Sequence, residues 1–546
     1  MKRWQVLFSV AGTVMALMLL AGSLTPAVAK PAGKLTIGLS SLGTEEIWLP
    51  WAESGREGWS VVGAVYESLL TTDRETGGVL PMVAERWQVE KGGKQWRFFL
   101  RRGIQFHAGH GELTADDVKF SMEMYVDKKA RGSAAAVYRR LVDRVEVVNP
   151  YQVVFHLKEA NVTLDTQLTL GWFGIASKRY VETVGERKAA ARPVGTGPFT
   201  LVDHQRAHSA TLEALDQHWR LASGFKTIHL RQVPDEAARL AMLRAGEIDV
   251  TAVSFKFKRE VEAAGLRLLR IKGAALYHIY LGGQVLPSRK TFDPQVPWAG
   301  NPKDPASLER ARKVRQALNL AVDKQAIINS VFEGEGVPSV VPYLPPGSEF
   351  VPQGLAPYAY DPAQAKRLLA EAGYAQGFAR EVEMLLMPWP GRAEMVDAAE
   401  AVAGFWERHL GLKVKRTPID FATWAPGVGR PRNMAWRAGA HGFIGRPVAE
   451  PVVAMATWGF SQSSYMTFAE TAEFDALYDR ILAEPDRVKR AQLYRDLAQM
   501  MYGGYYSVPI TAVPALYAYN PKVLRSWPLP PGDAYAHGYE YVVPAR

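Results

Sequence analysis

Alternating apolar and polar positions mark several strands along this chain. Lys34–Leu39 reads as a strand ahead of a Ser/Gly loop holding Trp48 and Trp51, and Gln95–Leu100 and Gln152–Leu157 set aromatic and β-branched residues between polar ones. Helices show in the longer period. Val396, Ala399, Ala403, Trp406 and Leu410 fall on one face at helical spacing until Gly411 stops the run, and Val314, Leu318, Ala321 and Val322 make another apolar stripe. Thr114-Ala115-Asp116-Asp117 has the form of a capping box and predicts a helix through about Val126. Asp361-Pro362 supplies an N-cap and a first-turn proline, with Gly373 as the left-handed stop.

Strands and helices alternate without a repeat or a long linker, which predicts a mixed α/β protein. At roughly 100–200 residues per domain, a chain of 546 residues implies two to four domains. The Pro/Gly-rich stretches Arg192–Pro198 and Pro287–Pro305 are the natural places to divide it. Strand-rich sequence on both sides of each cut suggests domains that the chain enters more than once.

The start of the chain carries a different pattern. Lys2 and Arg3, an apolar run from Val6 to Leu20, then Pro26, Ala27, Val28 and Ala29 predict a signal peptide cleaved after Ala29. That run falls short of the roughly 20 residues needed to cross a bilayer. The absence of cysteine excludes a lipid-modified cysteine, disulfides, thiol nucleophiles and Cys-ligated metals. The expected mature product is periplasmic, soluble and not a lipoprotein.

Charge narrows the choice of partner. The formal charge of +10 becomes +8 once Lys2 and Arg3 are removed, and the 65 Lys and Arg alternate with 55 Asp and Glu along the whole length. A nucleic-acid binder gathers its positive charge into a stripe, so no nucleic-acid partner is expected.

Catalytic signatures are also missing. The sequence has no G-x-S-x-G elbow, no phosphate-binding glycine loop and no H-E-x-x-H helix. Gly195-Thr196-Gly197 reads as a tight turn before a strand starting at Phe199. His107 and His110 lack a third ligand nearby, so no metal, cofactor or catalytic residue is assigned and the chain is not expected to be an enzyme. The 15 Trp, 22 Tyr and 21 Phe suit the aromatic walls of a small-molecule cleft. Trp48 and Trp458 on predicted loops, with Tyr277 and Phe421, are the aromatic ligand-binding candidates.

Several segments together resemble one family. Tyr66-Glu67-Ser68-Leu69-Leu70, Pro81-Met82-Val83-Ala84-Glu85-Arg86-Trp87, Phe98 through His107, and Leu113-Thr114-Ala115-Asp116-Asp117-Val118 form its opening signature. Pro193 through Phe199, Arg244-Ala245-Gly246-Glu247-Ile248-Asp249, Val314 through Lys324, and Ala370 through Tyr374 continue it. In order and spacing these resemble the peptide/nickel-type (family 5) extracellular solute-binding proteins, over roughly Lys34 to Val523. The resemblance implies a type II (cluster C) periplasmic-binding-protein clamshell of three domains with the ligand between its lobes. Domain I would be discontinuous, over residues 30–75, 193–290 and 501–546, with domain II at 76–192 and domain III at 291–500. It implies a monomer that carries a small-molecule or oligopeptide ligand to an inner-membrane ABC permease with cytoplasmic ATPases.

One interval departs from the family. Peptide-binding members commonly place an acid in the domain III loop, here around Met434 to Pro451, to pair with the ligand's ammonium group. No Asp or Glu occurs between Asp420 and Glu450, where Arg430, Arg432, Arg437, His441 and Arg446 stand instead. A guanidinium grips a carboxylate or phosphate with two parallel hydrogen bonds. Arg437, His441 and Arg446 are therefore ligand-binding candidates, and an anionic or blocked solute is one expectation. The alternatives are that these arginines are surface residues while Glu450 or a distant acid anchors an ordinary peptide, that His441 and His107 serve a metal chelate or haem, or that the chain is an exported hydrolase.

Overall fold

The computed structural model describes residues 30–545 apart from 54–56, 133, 170, 389–391, 393, 445–449, 464, 466–467 and 533–536, and apart from the side chains of 422, 443–444, 454 and 457–458. The signal-peptide expectation therefore lies outside the described residues.

The predicted elements form with their predicted ends. Strands run over Lys34–Leu39, Gln95–Leu100 and Gln152–Leu157. The helix Ala115–Val126 opens on a complete capping box between Thr114 and Asp117. Asp361 caps the helix Pro362–Glu371 by accepting from the Gln364 amide, and Gly373 follows at φ +93°. In the helix Glu394–Leu410 the buried stripe is Ala399, Ala403, Trp406 and Leu410 joined by Met395, Ala398 and Val402, while Val396 is only partly covered.

An eleven-stranded sheet spans the described chain. Its strands run in the order Val414–Pro418, Val382–Leu386, Arg437–Ile444, Arg267–Leu281, Ser507–Tyr519, Val250–Val253, Lys34–Leu39, Thr227–Gln232, Ser209–Ala214 and Phe199–Gln205, and Val337–Pro338 pairs beside Ser507–Tyr519. Lys34–Leu39 is parallel to Thr227–Gln232 and Val250–Val253. Val382–Leu386 is parallel to Val414–Pro418 and Arg437–Ile444. The two long strands between these groups, Arg267–Leu281 and Ser507–Tyr519, are antiparallel and shared. Residues 267–271 pair with 515–519, and residues 275–280 with 507–513, across a register shift between Ile271 and Ala275. Gly273 sits in that shift at φ +62°, a left-handed conformation that glycine adopts without a Cβ penalty.

Burial follows the same division. One hydrophobic core gathers Leu35, Ile37, Phe98, Phe155, Leu212 and Trp527; a second gathers Val314, Leu318, Met384, Val402 and Trp406; a third, beside the second, gathers Val452, Phe474, Tyr494 and Leu497. The molecule thus has a first lobe around the first core and a second lobe around the other two. A four-stranded antiparallel sheet, Ala84–Glu90, Gln95–Leu100, Gln152–Leu157 and Val142–Asn149 in spatial order, belongs to the first. No helix among the described residues is long and apolar enough to cross a membrane.

Buried polar groups tie the first lobe together. Glu67 accepts from Arg220 Nε at 3.0 Å, Trp219 Nε1 at 2.6 Å and Thr196 Oγ1 at 3.0 Å, while Arg220 also donates to Glu540 at 3.0 Å and to the Tyr541 hydroxyl at 2.8 Å. The Gly195-Thr196-Gly197 turn lies against the helix Trp59–Val65 so closely that a Cβ on Gly195 would meet the Val65 carbonyl oxygen at 2.1 Å. His107 holds the same turn, its Nε2 lying 2.7 Å from the Gly197 carbonyl.

Candidate functional site

In open α/β sheets, ligands bind outside the carboxyl ends of parallel strands, where no side chain of the sheet blocks access. Each lobe here has such a set of strand ends, and one cavity of about 120 Å³ joins them. Ser40 and Ser41 reach it from the end of Lys34–Leu39 in the first lobe, Phe255 from the chain after Val250–Val253, Arg392 and Glu394 from the chain after Val382–Leu386, and Tyr277 and Pro514 from the two shared strands.

Each wall is fixed by local chemistry. Asp235 caps the helix Glu236–Ala245 by accepting from the Ala238 amide at 2.7 Å. Both oxygens of Glu236 accept from Ser254, one from its amide and one from its hydroxyl. One turn further, Arg239 Nε donates to Thr251 Oγ1 at 3.0 Å and Nη1 donates to the carbonyls of Val233 and Pro234 at 2.7 and 2.8 Å. Thr251 in turn donates to the Gly38 carbonyl at 3.0 Å, so guanidinium, helix and strand ends form one unit. Burial holds the Arg239 guanidinium below its ordinary range.

On the second-lobe side, Arg392 Nη1 donates to the Tyr277 hydroxyl at 3.2 Å. Burial pushes that phenol up to about 12, against a smaller downward pull from Arg392. Tyr277 also lies against Phe332, with ring centroids 5.0 Å apart. Glu394 opens its helix almost fully buried, and burial raises its carboxyl. The cavity offers hydroxyls, an aromatic face and charges of both signs, which suits recognition of a polar solute.

Of the residues singled out from sequence, Tyr277 lines this cavity. Trp48 is 1% exposed and lines a separate pocket of the first lobe, its ring edge-on to His204 at 5.0 Å. Phe421 stacks on Trp424 at 5.9 Å in the second lobe. Trp458, expected on a loop, instead ends the helix Val452–Trp458; its side chain lies outside the described residues, as does Arg446. His441 faces His278 on the neighbouring strand at 5.4 Å, and burial, with His278 beside it, holds its imidazole well below the ordinary value.

The arginines of the departing interval are largely engaged within the lobe. Arg437 Nε donates to Glu383 at 2.7 Å, and Arg432 Nε to Glu470 at 3.1 Å. Glu450, the alternative anchor, accepts from Arg490 at 2.8 Å and from the Tyr494 hydroxyl at 2.9 Å. Among the described residues no group of three or more His, Asp or Glu is placed to hold a metal ion.

Sequence reasoning missed Arg239, Arg392 and Glu394. All three follow a strand within a loop or the first turn of a helix, so pairing strand ends with the next helix start was the signal available.

Comparison with known proteins bears on the whole chain. It is 27% identical over 493 residues to Heme-binding protein A of Haemophilus influenzae, covering 84% of this chain and 83% of that protein. It is 25% identical over 459 residues to the Dipeptide-binding protein of Escherichia coli, covering 80% and 82%. Among solved structures, the ABC transporter-associated periplasmic binding protein DppA from Helicobacter pylori, in complex with peptide STSA, shares the fold with a TM-score of 0.74 at 20% identity, over 95% of this chain and 99% of that one. Residues 78–462 match the model described as bacterial extracellular solute-binding proteins, family 5 Middle, and the chain belongs to that family.

Proposed function

We propose that this chain is the solute-capturing component of an ABC importer, closing two lobes around a peptide or peptide-like solute and delivering it unchanged to a membrane permease. The observation that carries the reading is the cavity walled by strand ends of both lobes. A ligand shifts a conformational equilibrium only by its difference in affinity for the two states. A solute touching both walls has that difference built in, since the open form keeps about half of its contacts. Moving such a clamp from 1:99 to 99:1 needs roughly 5.5 kcal/mol of differential affinity.

The peptide class is supported by the relative named for dipeptides and by the structural neighbour holding a peptide. A cavity near 120 Å³ takes one side chain or terminal group of a solute, with the remainder lying along the lobe interface. A relative named for haem keeps a second ligand class in view. His107 and His441 do not favour it, because one fastens a turn and the other packs against His278. In this reading the domains are residues 30–75, 193–290 and 501–546 for domain I, 76–192 for domain II and 291–500 for domain III. The protein works as a periplasmic monomer without catalytic residues.

The test is calorimetry on the mature chain with defined di- to tetrapeptides, followed by mass spectrometry of the recovered solute. The expected result is sub-micromolar, one-to-one binding of at least one peptide, returned intact. Cleavage of the peptide, or no binding across the panel, contradicts the reading.

A further inference from the structure

We propose that Gly273 is the pivot on which the two lobes close, placed where the ladder between the shared strands is broken and left-handed in the closed form. This rests on the solute-capture reading and goes beyond it by locating the joint that a captured solute moves.

The second-lobe strands Val382–Leu386, Val414–Pro418 and Arg437–Ile444 lie in sequence between the two shared strands, so the chain crosses along Arg267–Leu281 and returns along Ser507–Tyr519. One lobe backs each half of that crossing. Residues 516–519 pair with Val250–Val253 of the first lobe, and residues 275–281 pair with residues 438–444 of the second. Between the halves Ile271 faces Ala515 and Ala275 faces Val513, which leaves Lys272, Gly273 and Ala274 opposite Pro514 alone. Proline has no amide hydrogen and donates nothing to a ladder. Lys272 stays with the first lobe, its carbonyl accepting at 2.9 Å from the amide of Gly532, just past Leu529 of the first core. Ala275 already belongs to the second core. The joint therefore falls on Gly273 and Ala274. The other register shift, between Tyr277 and His278, lies where Arg437–Ile444 backs the strand without a break.

The backbone suits the role. Gly273 has φ +62°, and the lobes around it are in contact through the Val162 amide and the Leu482 carbonyl at 2.8 Å, so this is the conformation of the closed form. Glycine enters and leaves the left-handed region at no steric cost, whereas other L-residues are penalised there. Hinges are a few such residues that absorb the backbone rotation while the elements on either side stay rigid. The cavity adjoins the joint: Pro514, Ala515 and Tyr277 all line it. A solute seated there bears directly on the pivot and holds it in its closed conformation.

The experiment measures peptide affinity by calorimetry and the distance between the lobes by pulsed dipolar spectroscopy. Spin labels go on Glu123→Cys and Glu473→Cys, exposed positions of the two lobes in a chain with no cysteine of its own. Gly273→Val is compared with Gly411→Val, an equally left-handed glycine at φ +66° that ends a helix within the second lobe. Gly273→Val is expected to lower affinity about tenfold and to lengthen the interlobe distance, because valine disfavours the closed backbone. Gly411→Val should lower the melting temperature and leave both readings as in the wild type. Gly273→Asn should stay within about threefold of the wild type, since asparagine tolerates the left-handed region. Wild-type affinity and distance in Gly273→Val overturn the proposal. So does an equal loss of affinity in Gly411→Val, or a Gly273→Asn variant as impaired as Gly273→Val. Should Gly273→Val fail to fold, Gly273→Ala decides in its place, with an expected loss of about fivefold. Should no peptide bind, the function reading fails separately, and the peptide-free distance distribution decides. A pivot at Gly273 requires that distribution to shift in Gly273→Val and not in Gly411→Val; identical distributions end the proposal.

Discussion

The amide of Val162 donates to the carbonyl of Leu482 across 2.8 Å, a backbone hydrogen bond from the first lobe to the second. Around it Arg140 lies over the Phe460 ring at 5.4 Å, and Asp165 comes into the field of Glu450 and Arg490. This seam and the cavity at Tyr277 are separate contacts between the same two bodies, so what weakens the seam weakens the grip on a solute held between them.

Asp165 makes the seam sensitive to pH. Burial, with Glu450 nearby, pushes its carboxyl up to about 6, against the pull of Thr166 and Arg490. A raised carboxyl pKa means that the closed state prefers the neutral acid. The stabilisation is complete below the ordinary carboxylate range and is lost as pH rises through about 6. Solute affinity should therefore fall by roughly tenfold from pH 5 to pH 7.5. Asp165→Asn should remove most of that slope, and titration calorimetry at several pH values checks both outcomes.

Tyr277→Phe removes the acceptor for Arg392 while keeping the ring against Phe332. A hydrogen bond to a charged donor is worth about 1.5–3 kcal/mol, which converts to a loss of at least about tenfold in solute affinity if Arg392 needs the phenol to hold its direction. The melting temperature without solute should barely move. Binding assays and a thermal melt separate the two effects.

Glu67→Ala should harm the first lobe without touching the cavity. It leaves Arg220 with Glu540 as its remaining carboxylate and strips the Trp219 and Thr196 side chains of their acceptor. Breaking a buried pair in this way costs about 3–5 kcal/mol. Denaturant unfolding should show a lower midpoint, with solute affinity unchanged under native conditions.

Much of the fold was legible because its signals are local. The capping box at Thr114, the proline after Asp361 and the glycines at 373 and 411 act within a few residues, and each helix ends where they place it. The site was legible only in part. Tyr277 was named, but Arg239, Arg392 and Glu394 meet around the shared strands Arg267–Leu281 and Ser507–Tyr519, whose paired residues lie more than two hundred positions apart in sequence. Arg437 was named as a ligand-binding candidate, and its partner Glu383 comes from a segment that composition cannot pair with it. Arg239, which does line the cavity, stands on the helix Glu236–Ala245.

Small-angle scattering of the mature chain, with and without a saturating peptide from the panel, tests the central claim most directly. Closure of two lobes hinged on Arg267–Leu281 and Ser507–Tyr519 predicts a smaller radius of gyration and a shorter maximum dimension in the bound state. An unchanged scattering curve in a sample shown by calorimetry to be fully bound would contradict it.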